Sequence, residues 1–120
     1  ESSLAEFKMI LQDEISRYGM PHDFGPAVSF AGKILTGIDP TKLSPAYSLT
    51  NHQHYYFTHG DKDQRILPRH FYFIKNYASN NNISSDFWLV KDTNHVDAML
   101  KYPDEYGSRM KKFYEKYLSN

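Results

Sequence analysis

Apolar residues recur at helical spacing near both ends of the chain and form compact runs in its second half. Near the start, apolar positions three or four residues apart predict an amphipathic helix that carries Leu4, Phe7, Leu11, Ile15 and Tyr18. Ser3-Leu4-Ala5-Glu6 is a candidate capping box for this helix, and Gly19 and Pro21 end it. A second, short apolar helix is predicted from Pro26 to Gly37. The pattern over residues 1–43 therefore predicts two helices and a connector.

Two aromatic-rich runs in the second half predict buried strands, at Gln53–Thr58 and Asp86–Lys91. A helix is predicted between them over Pro68–Ser79, a helical turn over Val96–Lys101, and a last helix over Pro103–Leu118. A strand–helix–strand order predicts a parallel pair, because parallel strands need a long crossover connection. Unbroken apolar strands such as the second one are typical of parallel sheets covered on both faces.

Length and composition indicate one globular domain, and the small number of predicted strands indicates a sheet with unpaired edges. A chain of 120 residues with 40% hydrophobic and 23% charged residues suits a single folded domain. Ten Tyr, eight Phe and one Trp favour an aromatic core over a base-stacking platform, because such platforms lie in basic grooves. Two strands are few for a stable sheet. We therefore expect the end of a larger sheet or one partner in an assembly, including a homo-oligomer.

Charge and cysteine content exclude several classes of function. Lys+Arg and Asp+Glu number 14 each, so the chain lacks the basic footprint of a protein that binds nucleic acid or an anionic membrane surface. The absence of cysteine excludes disulfides, thiol catalysis and thiolate metal sites, and it favours the cytoplasm. No apolar run approaches the roughly 18 residues of a membrane span, and no signal peptide is visible. We expect a cytoplasmic protein with neither nucleic acid nor membrane as partner.

A polar loop follows each predicted strand, and the two loops carry the residues best suited to acid–base chemistry. The first loop is His59-Gly60-Asp61-Lys62-Asp63, and His95 stands in the second loop, 32 residues after Asp63. Neighbouring parallel strands end at the same edge of a sheet, where ligands and catalytic groups collect. The order of elements therefore predicts Asp63 beside His95, and an acid beside a histidine makes two parts of a Ser–His–Asp relay.

The stretch from Ser44 to Leu118 resembles the C-terminal part of the α/β-hydrolase fold, especially its prolyl-oligopeptidase-like and related esterase branches. The family pattern is a Ser-Pro segment, a strand, His-Gly-x-x-Asp with an aliphatic residue three places on, a helix, a strand, a loop with His, and a closing helix. The matching elements are Ser44-Pro45, Gln53–Thr58, His59 to Asp63 with Ile66, Pro68–Ser79, Asp86–Lys91, His95 and Pro103–Leu118. Pro68 falls one place later than the family's usual proline.

By this resemblance, Asp63 is the triad acid and His95 the triad base. The implied fold class is α/β: the C-terminal section of an α/β-hydrolase fold over residues 44–120, with two parallel strands and flanking helices, preceded by a helical lid-like segment over residues 1–43. The implied activity is that of a serine hydrolase acting on a small ester or peptide-like substrate through an acyl-serine intermediate, with no metal or organic cofactor.

The nucleophile of such an enzyme is not found in this sequence. The family places Gly-x-Ser-x-Gly and an oxyanion-hole loop upstream, and neither is present here. Because the first residue is Glu1 rather than methionine, we expect the chain to be part of a longer protein. The missing N-terminal hydrolase half, or another protein chain, would supply the nucleophile.

The other residues of the two loops are expected to have structural roles. Asp61 is the competing acid, and we favour a turn-capping role for it. His59 is expected to support the geometry of the loop, and Gly60 the tight exit from the strand. Asp97 is expected to cap the turn that follows His95.

A metal site and a serine nucleophile within the chain are the alternatives that we weigh and set aside. His52 and His54, in a His-x-His pattern, suggest a metal site with Asp61 and Asp63, but they precede the loop and a site needs three or four convergent ligands. His22 and His70 carry no signal. None of the candidate serines has the context of a nucleophile elbow: Ser2, Ser3, Ser44 and Ser48.

Two hypotheses of different class follow. In the first, the chain is the lid and C-terminal section of a serine hydrolase, inactive alone, whose apolar helices shape the acyl pocket. In the second, it is a non-catalytic binding or assembly module that keeps the hydrolase scaffold.

Overall fold

The computed structural model describes residues 1–118 as an α/β structure built on two parallel strands. The elements in chain order are α1 (Phe7–Arg17), α2 (Phe24–Thr36), β1 (Tyr55–Gly60), α3 (Arg69–Asn80), β2 (Ser85–Val90), α4 (Ala98–Lys101) and α5 (Pro103–Leu118). Two 3₁₀ turns, Pro40–Lys42 and Pro45–Ser48, lie in the connector between α2 and β1. The predicted parallel pair is confirmed.

The strands pair in register from Tyr55 opposite Ser85 to Gly60 opposite Val90. This ladder corrects the predicted bounds, since β1 begins two residues later than expected and includes His59 and Gly60, which the sequence pattern assigned to the loop. These two residues belong to the strand because their backbone continues the ladder to the end of β2. Hydrogen bonding to a distant partner, rather than local β-propensity, determines where the strand stops.

Each face of the sheet carries its own apolar cluster, because neighbouring side chains of a strand point to opposite faces. On one face, the rings of Phe57 and Phe87 stack 5.1 Å apart against a buried group that comprises Ala5, Ala46 and Ile74. On the other face, a second cluster lies next to α4 and α5 and contains Trp88, Val90, Ala98, Tyr56, Tyr102 and Tyr106. Aromatic side chains thus contribute to both clusters, together with buried aliphatic residues.

The entry to α1 differs from the sequence expectation. The helix begins at Phe7, Glu6 occupies the N-cap position, and no side chain caps the helix, so the predicted capping box is wrong. The residues before Glu6 are held by distant partners instead. The N–H of Ser2 donates to the carbonyl oxygen of Thr58 in β1 (2.9 Å), and the N–H of Ala5 donates to Nδ1 of His70 (3.1 Å). These contacts hold the segment before α1 against β1 and α3.

Helix α2 ends where the sequence predicts, at Gly37, whose φ of +71° is easily adopted by glycine. None of its residues is buried, and it exposes large apolar side chains, including Phe30, Ile34 and Leu35. Within residues 1–118, no helix combines the length and the apolar character needed to cross a membrane.

Candidate functional site

Asp63 is fixed by its own loop immediately after β1. The residue is almost completely buried, and its Oδ1 accepts hydrogen bonds from the N–H groups of Arg65 (2.9 Å) and Ile66 (2.8 Å). An aspartate that accepts from the backbone two and three residues ahead stabilises a tight turn. This local arrangement leaves the second oxygen, Oδ2, available to groups from other parts of the chain.

His95 reaches that second oxygen from the loop after β2. Its Nδ1 lies 2.9 Å from Oδ2 of Asp63, and its side chain is 31% exposed. Because a carboxylate only accepts, Nδ1 carries the proton and the Nε2 of a neutral His95 keeps a lone pair. The expected contact between Asp63 and His95 is therefore present, and it leaves the ring with a nitrogen that can accept a proton.

The charge on Asp63 is favoured despite its burial. Burial alone raises the pKa of the Asp63 carboxyl, but hydrogen bonds from His95, Ile66, Ser2 and Arg65 outweigh it and hold the pKa below its ordinary value. The carboxyl group is thus ionised at neutral pH and can stabilise a positive charge that develops on the imidazole.

Gly60 allows the two loops to approach each other closely. A Cβ atom at this position would lie 2.2 Å from the carbonyl oxygen of Thr93 and 2.5 Å from that of Asn94, which no real side chain tolerates. The expected tight exit from the strand is therefore explained by close approach of backbone.

Asp61 joins the same two loops rather than acting on His95. Its N–H donates to the carbonyl oxygen of Val90 (3.0 Å), and its Oδ1 accepts from the N–H of Thr93 (3.3 Å). Its backbone and side chain therefore both bind the chain at and after the end of β2. The contact that His95 makes with Asp63, and not with Asp61, favours Asp63 as the acid.

His59 is a buried, neutral side chain next to Asp63 that stabilises the loop after β1. Its Nε2 is 2.8 Å from the carbonyl oxygen of Ile66 and 3.5 Å from Oδ2 of Asp63, so the ring donates to the carbonyl. Burial lowers the pKa of His59, an effect that exceeds the opposing influence of Ile66 and Asp63. The ring joins the end of β1 to the loop that follows it, which agrees with the expected role in loop geometry.

The His-x-His pattern lies away from the site. His54 stacks on Tyr117 with ring centroids 3.9 Å apart, and its Nδ1 lies 2.8 Å from Oγ of Ser84, near the other end of the strands. Within the part of the chain that the structure describes, no three His, Asp or Glu residues are grouped to hold a metal ion.

The expected cap at Asp97 is corrected. Asp97 occupies the N-cap position of α4, but its side chain makes no capping hydrogen bond. The N–H of Ala98 donates instead to Oε1 of Glu1 (2.8 Å), 97 residues away in sequence. A distant carboxylate thus binds the N–H of the first residue of α4. Local capping by Asp97 would instead involve the N–H groups of the second or third helical residue.

Two residues of this region were missed by sequence reasoning. Ser2 donates its hydroxyl to Oδ2 of Asp63 (2.9 Å), and His70 is fully buried with its Nε2 3.0 Å from Oδ2 of Asp13. For His70 a signal exists, since it lies four residues before Ile74 on the buried face of α3. For Ser2 no local pattern signals the contact, because its partner is 61 residues away.

Comparison with known proteins identifies no protein similar to this chain. No protein-family model matches the chain, and neither a curated protein nor a solved structure is detectably similar to it. The function must therefore be argued from the geometry of the site.

Proposed function

We propose that this chain is the acid-and-base section of an α/β-hydrolase-type serine hydrolase that cleaves ester or peptide-like acyl bonds. The observation that carries the proposal is the 2.9 Å contact between Nδ1 of His95 and Oδ2 of Asp63 at the carboxyl edge of two parallel strands. The order of elements that resembles the C-terminal part of that fold supports it further.

The arrangement suits the two proton transfers of acyl transfer. A neutral His95 would use Nε2 to take the proton from a serine hydroxyl as the oxygen attacks the substrate carbonyl, and would return it to the leaving group. Asp63 would hold the Nδ1–H tautomer and stabilise the imidazolium between these steps. The partial exposure of His95 is consistent with this role, because Nε2 must reach a serine and a substrate.

In this proposal, the serine and the oxyanion donors come from an N-terminal hydrolase half or from another protein chain. Helix α2 would act as part of a lid, because a surface of apolar side chains is suited to line an acyl pocket. Phe30, Ile34 and Leu35 are 66%, 66% and 84% exposed in the chain alone, which is consistent with a missing neighbour. The proposed compartment is the cytoplasm.

The decisive experiment is labelling of the intact gene product with a fluorophosphonate probe. Labelling should occur on a serine outside this chain, and His95→Ala should abolish it while Asp61→Asn should leave it largely intact. Asp61→Asn is a suitable control, because it changes a carboxylate of the same loop without touching His95. Absence of labelling in a folded, full-length protein would refute the proposal.

A non-catalytic binding or assembly module is the second candidate. The exposed apolar face of α2 favours it, since such a surface is also typical of protein–protein interfaces. A folded gene product that assembles through this face and never reacts with the probe would establish this candidate.

A further inference from the structure

Ser2 joins the acid and the base of the candidate relay through one oxygen atom. Its Oγ donates to Oδ2 of Asp63 at 2.9 Å and accepts from the N–H of Val96, the residue after His95, at 3.3 Å. Ser2 is 7% exposed, so bulk water does not compete strongly for these bonds. The single hydroxyl proton points to the carboxylate, and an oxygen lone pair receives the amide of the His95 loop.

The backbone holds Ser2 in place independently of its hydroxyl. The N–H of Ser2 donates to the carbonyl oxygen of Thr58 in β1 at 2.9 Å. Ser2 has a φ of +52° and Val96 has a φ of +53°, both in the left-handed region that residues with a side chain seldom adopt. Conformations of this kind persist only where the surroundings impose them, and they cluster at functional sites.

We propose that Ser2 is a positioning residue of the relay: its hydroxyl holds Oδ2 of Asp63 and the His95 loop in the geometry that fixes the Nδ1–H tautomer of His95. This inference rests on the proposed function for its catalytic meaning. Without the hydroxyl, Oδ2 keeps only His95 as a strong partner, and the Val96 amide loses its acceptor. The imidazole then gains freedom to rotate and to exchange between its two neutral tautomers.

The first test is nuclear magnetic resonance of the ¹⁵N-labelled chain, with the ring nitrogens of His95 assigned at alkaline pH. In the wild type, the Nδ1–H tautomer should dominate. Ser2→Ala should give a mixture of tautomers and faster exchange of the Val96 amide. Ser3→Ala is the matched control, because the neighbouring serine has no side-chain hydrogen bond to Asp63, and it should leave the spectrum unchanged.

A second variant separates the hydroxyl from the backbone. Ser2→Gly also removes the hydroxyl, but glycine adopts positive φ without strain, so the fold should be retained. It should show the same mixed tautomers as Ser2→Ala. Wild-type tautomer ratios in either folded variant would overturn the inference.

Kinetics of the intact gene product extend the test to catalysis. Ser2→Ala and Ser2→Gly should lower kcat roughly tenfold or more with little change in KM, since a hydrogen bond to a charged group is lost from the relay. Unchanged kcat in both variants would refute the role of Ser2 while the hydrolase proposal stands. Altered tautomers in a protein that never labels with fluorophosphonate would refute the proposed function and leave the positioning contact established.

Discussion

Nε2 of His70 lies 3.0 Å from Oδ2 of Asp13, so a buried imidazole–carboxylate pair joins the first turn of α3 to the middle of α1. The other ring nitrogen, Nδ1, accepts the N–H of Ala5 at 3.1 Å, and Arg69 forms an ion pair with the same Asp13. The pair therefore fixes both the start and the body of the N-terminal segment. Because that segment also carries Ser2, His70 is connected through the backbone to the candidate site.

The buried pair predicts a marked loss of stability in His70→Ala. The substitution leaves a cavity and removes partners from Asp13 and from the Ala5 N–H, for an expected loss of about 2–4 kcal/mol in the free energy of unfolding. Urea denaturation followed by circular dichroism measures it. His22→Ala is the control, because His22 is exposed and should cost less than about 0.5 kcal/mol. Equal stabilities of the two variants would contradict the structural role of His70.

The close approach of the two loops at Gly60 predicts that a larger residue at this position destabilises the fold. Gly60→Ala places a Cβ atom 2.2 Å from the carbonyl oxygen of Thr93, so the loops must separate, at an expected cost of about 1–3 kcal/mol or more. Gly107→Ala adds the same methyl group in α5, where nothing lies within 4 Å, and should stabilise by about 0.5–1 kcal/mol. The midpoint temperature of thermal unfolding should therefore fall in Gly60→Ala and rise in Gly107→Ala. A shift of both midpoints in the same direction would refute the close-approach explanation.

His59 predicts a pH dependence of stability. Its folded pKa is lowered by burial relative to the ordinary value of 6.5, so the unfolded chain binds the proton more readily. The contribution to stability is complete above pH 6.5 and declines as the pH falls through the folded pKa, by at most about 1.4 kcal/mol per pH unit for one proton.

Asp63 acts in the same direction at lower pH. Its folded pKa is below the ordinary value of 3.8, so its contribution is present above that value and is lost as the pH falls below it.

Urea midpoints measured from pH 7.5 to pH 5 isolate the contribution of His59 when the wild type is compared with His59→Gln, in which an amide N–H can replace Nε2–H. The variant should show the shallower decline, and identical slopes would exclude His59 as the titrating group.

The proposed relay predicts different effects for substitutions of the two acids of the first loop. In the intact gene product, His95→Ala should lower kcat by a factor of about 10³ or more, because no other group in the relay moves the proton. Asp63→Asn should also be severe, whereas Asp61→Asn should be mild. Steady-state hydrolysis of a p-nitrophenyl ester measures all three. Losses from Asp61→Asn that match those from Asp63→Asn, with folding intact, would show that the acid is misassigned.

The exposed face of α2 predicts self-association of the chain alone. Light scattering at increasing concentration should show assemblies larger than a monomer, because exposed apolar surface and unpaired strand edges favour association. A variant with Phe30→Ser, Ile34→Ser and Leu35→Ser should be monomeric over a wider range. Leu118→Ser, which alters a side chain 68% exposed on α5, should have little effect. A monomeric wild-type chain would contradict the need for a neighbour at this face.

The positions of most elements follow from the sequence because they depend on local periodicity. The spacing of apolar residues predicts α1, α3 and α5, and the two aromatic runs predict β1 and β2. The meeting of Asp63 with His95 is also predictable, since it requires only that neighbouring strands run parallel and end at one edge. The catalytic role assigned to these two residues stays a prediction.

Tertiary structure alone decided which residues far apart in the sequence contact each other. The ladder with β2 continues β1 to Gly60, whereas local β-propensity predicts that the strand ends at Thr58. Likewise, Ser2 reaches Asp63, and His70 reaches Asp13, across 61 and 57 residues of chain. Ser2 and Asp13 gain these partners through the packing of the N-terminal segment and α1 against the rest of the fold. Local patterns can indicate that a side chain is buried, but they do not identify a partner about 60 residues away, so the partner is known only when the whole chain is folded.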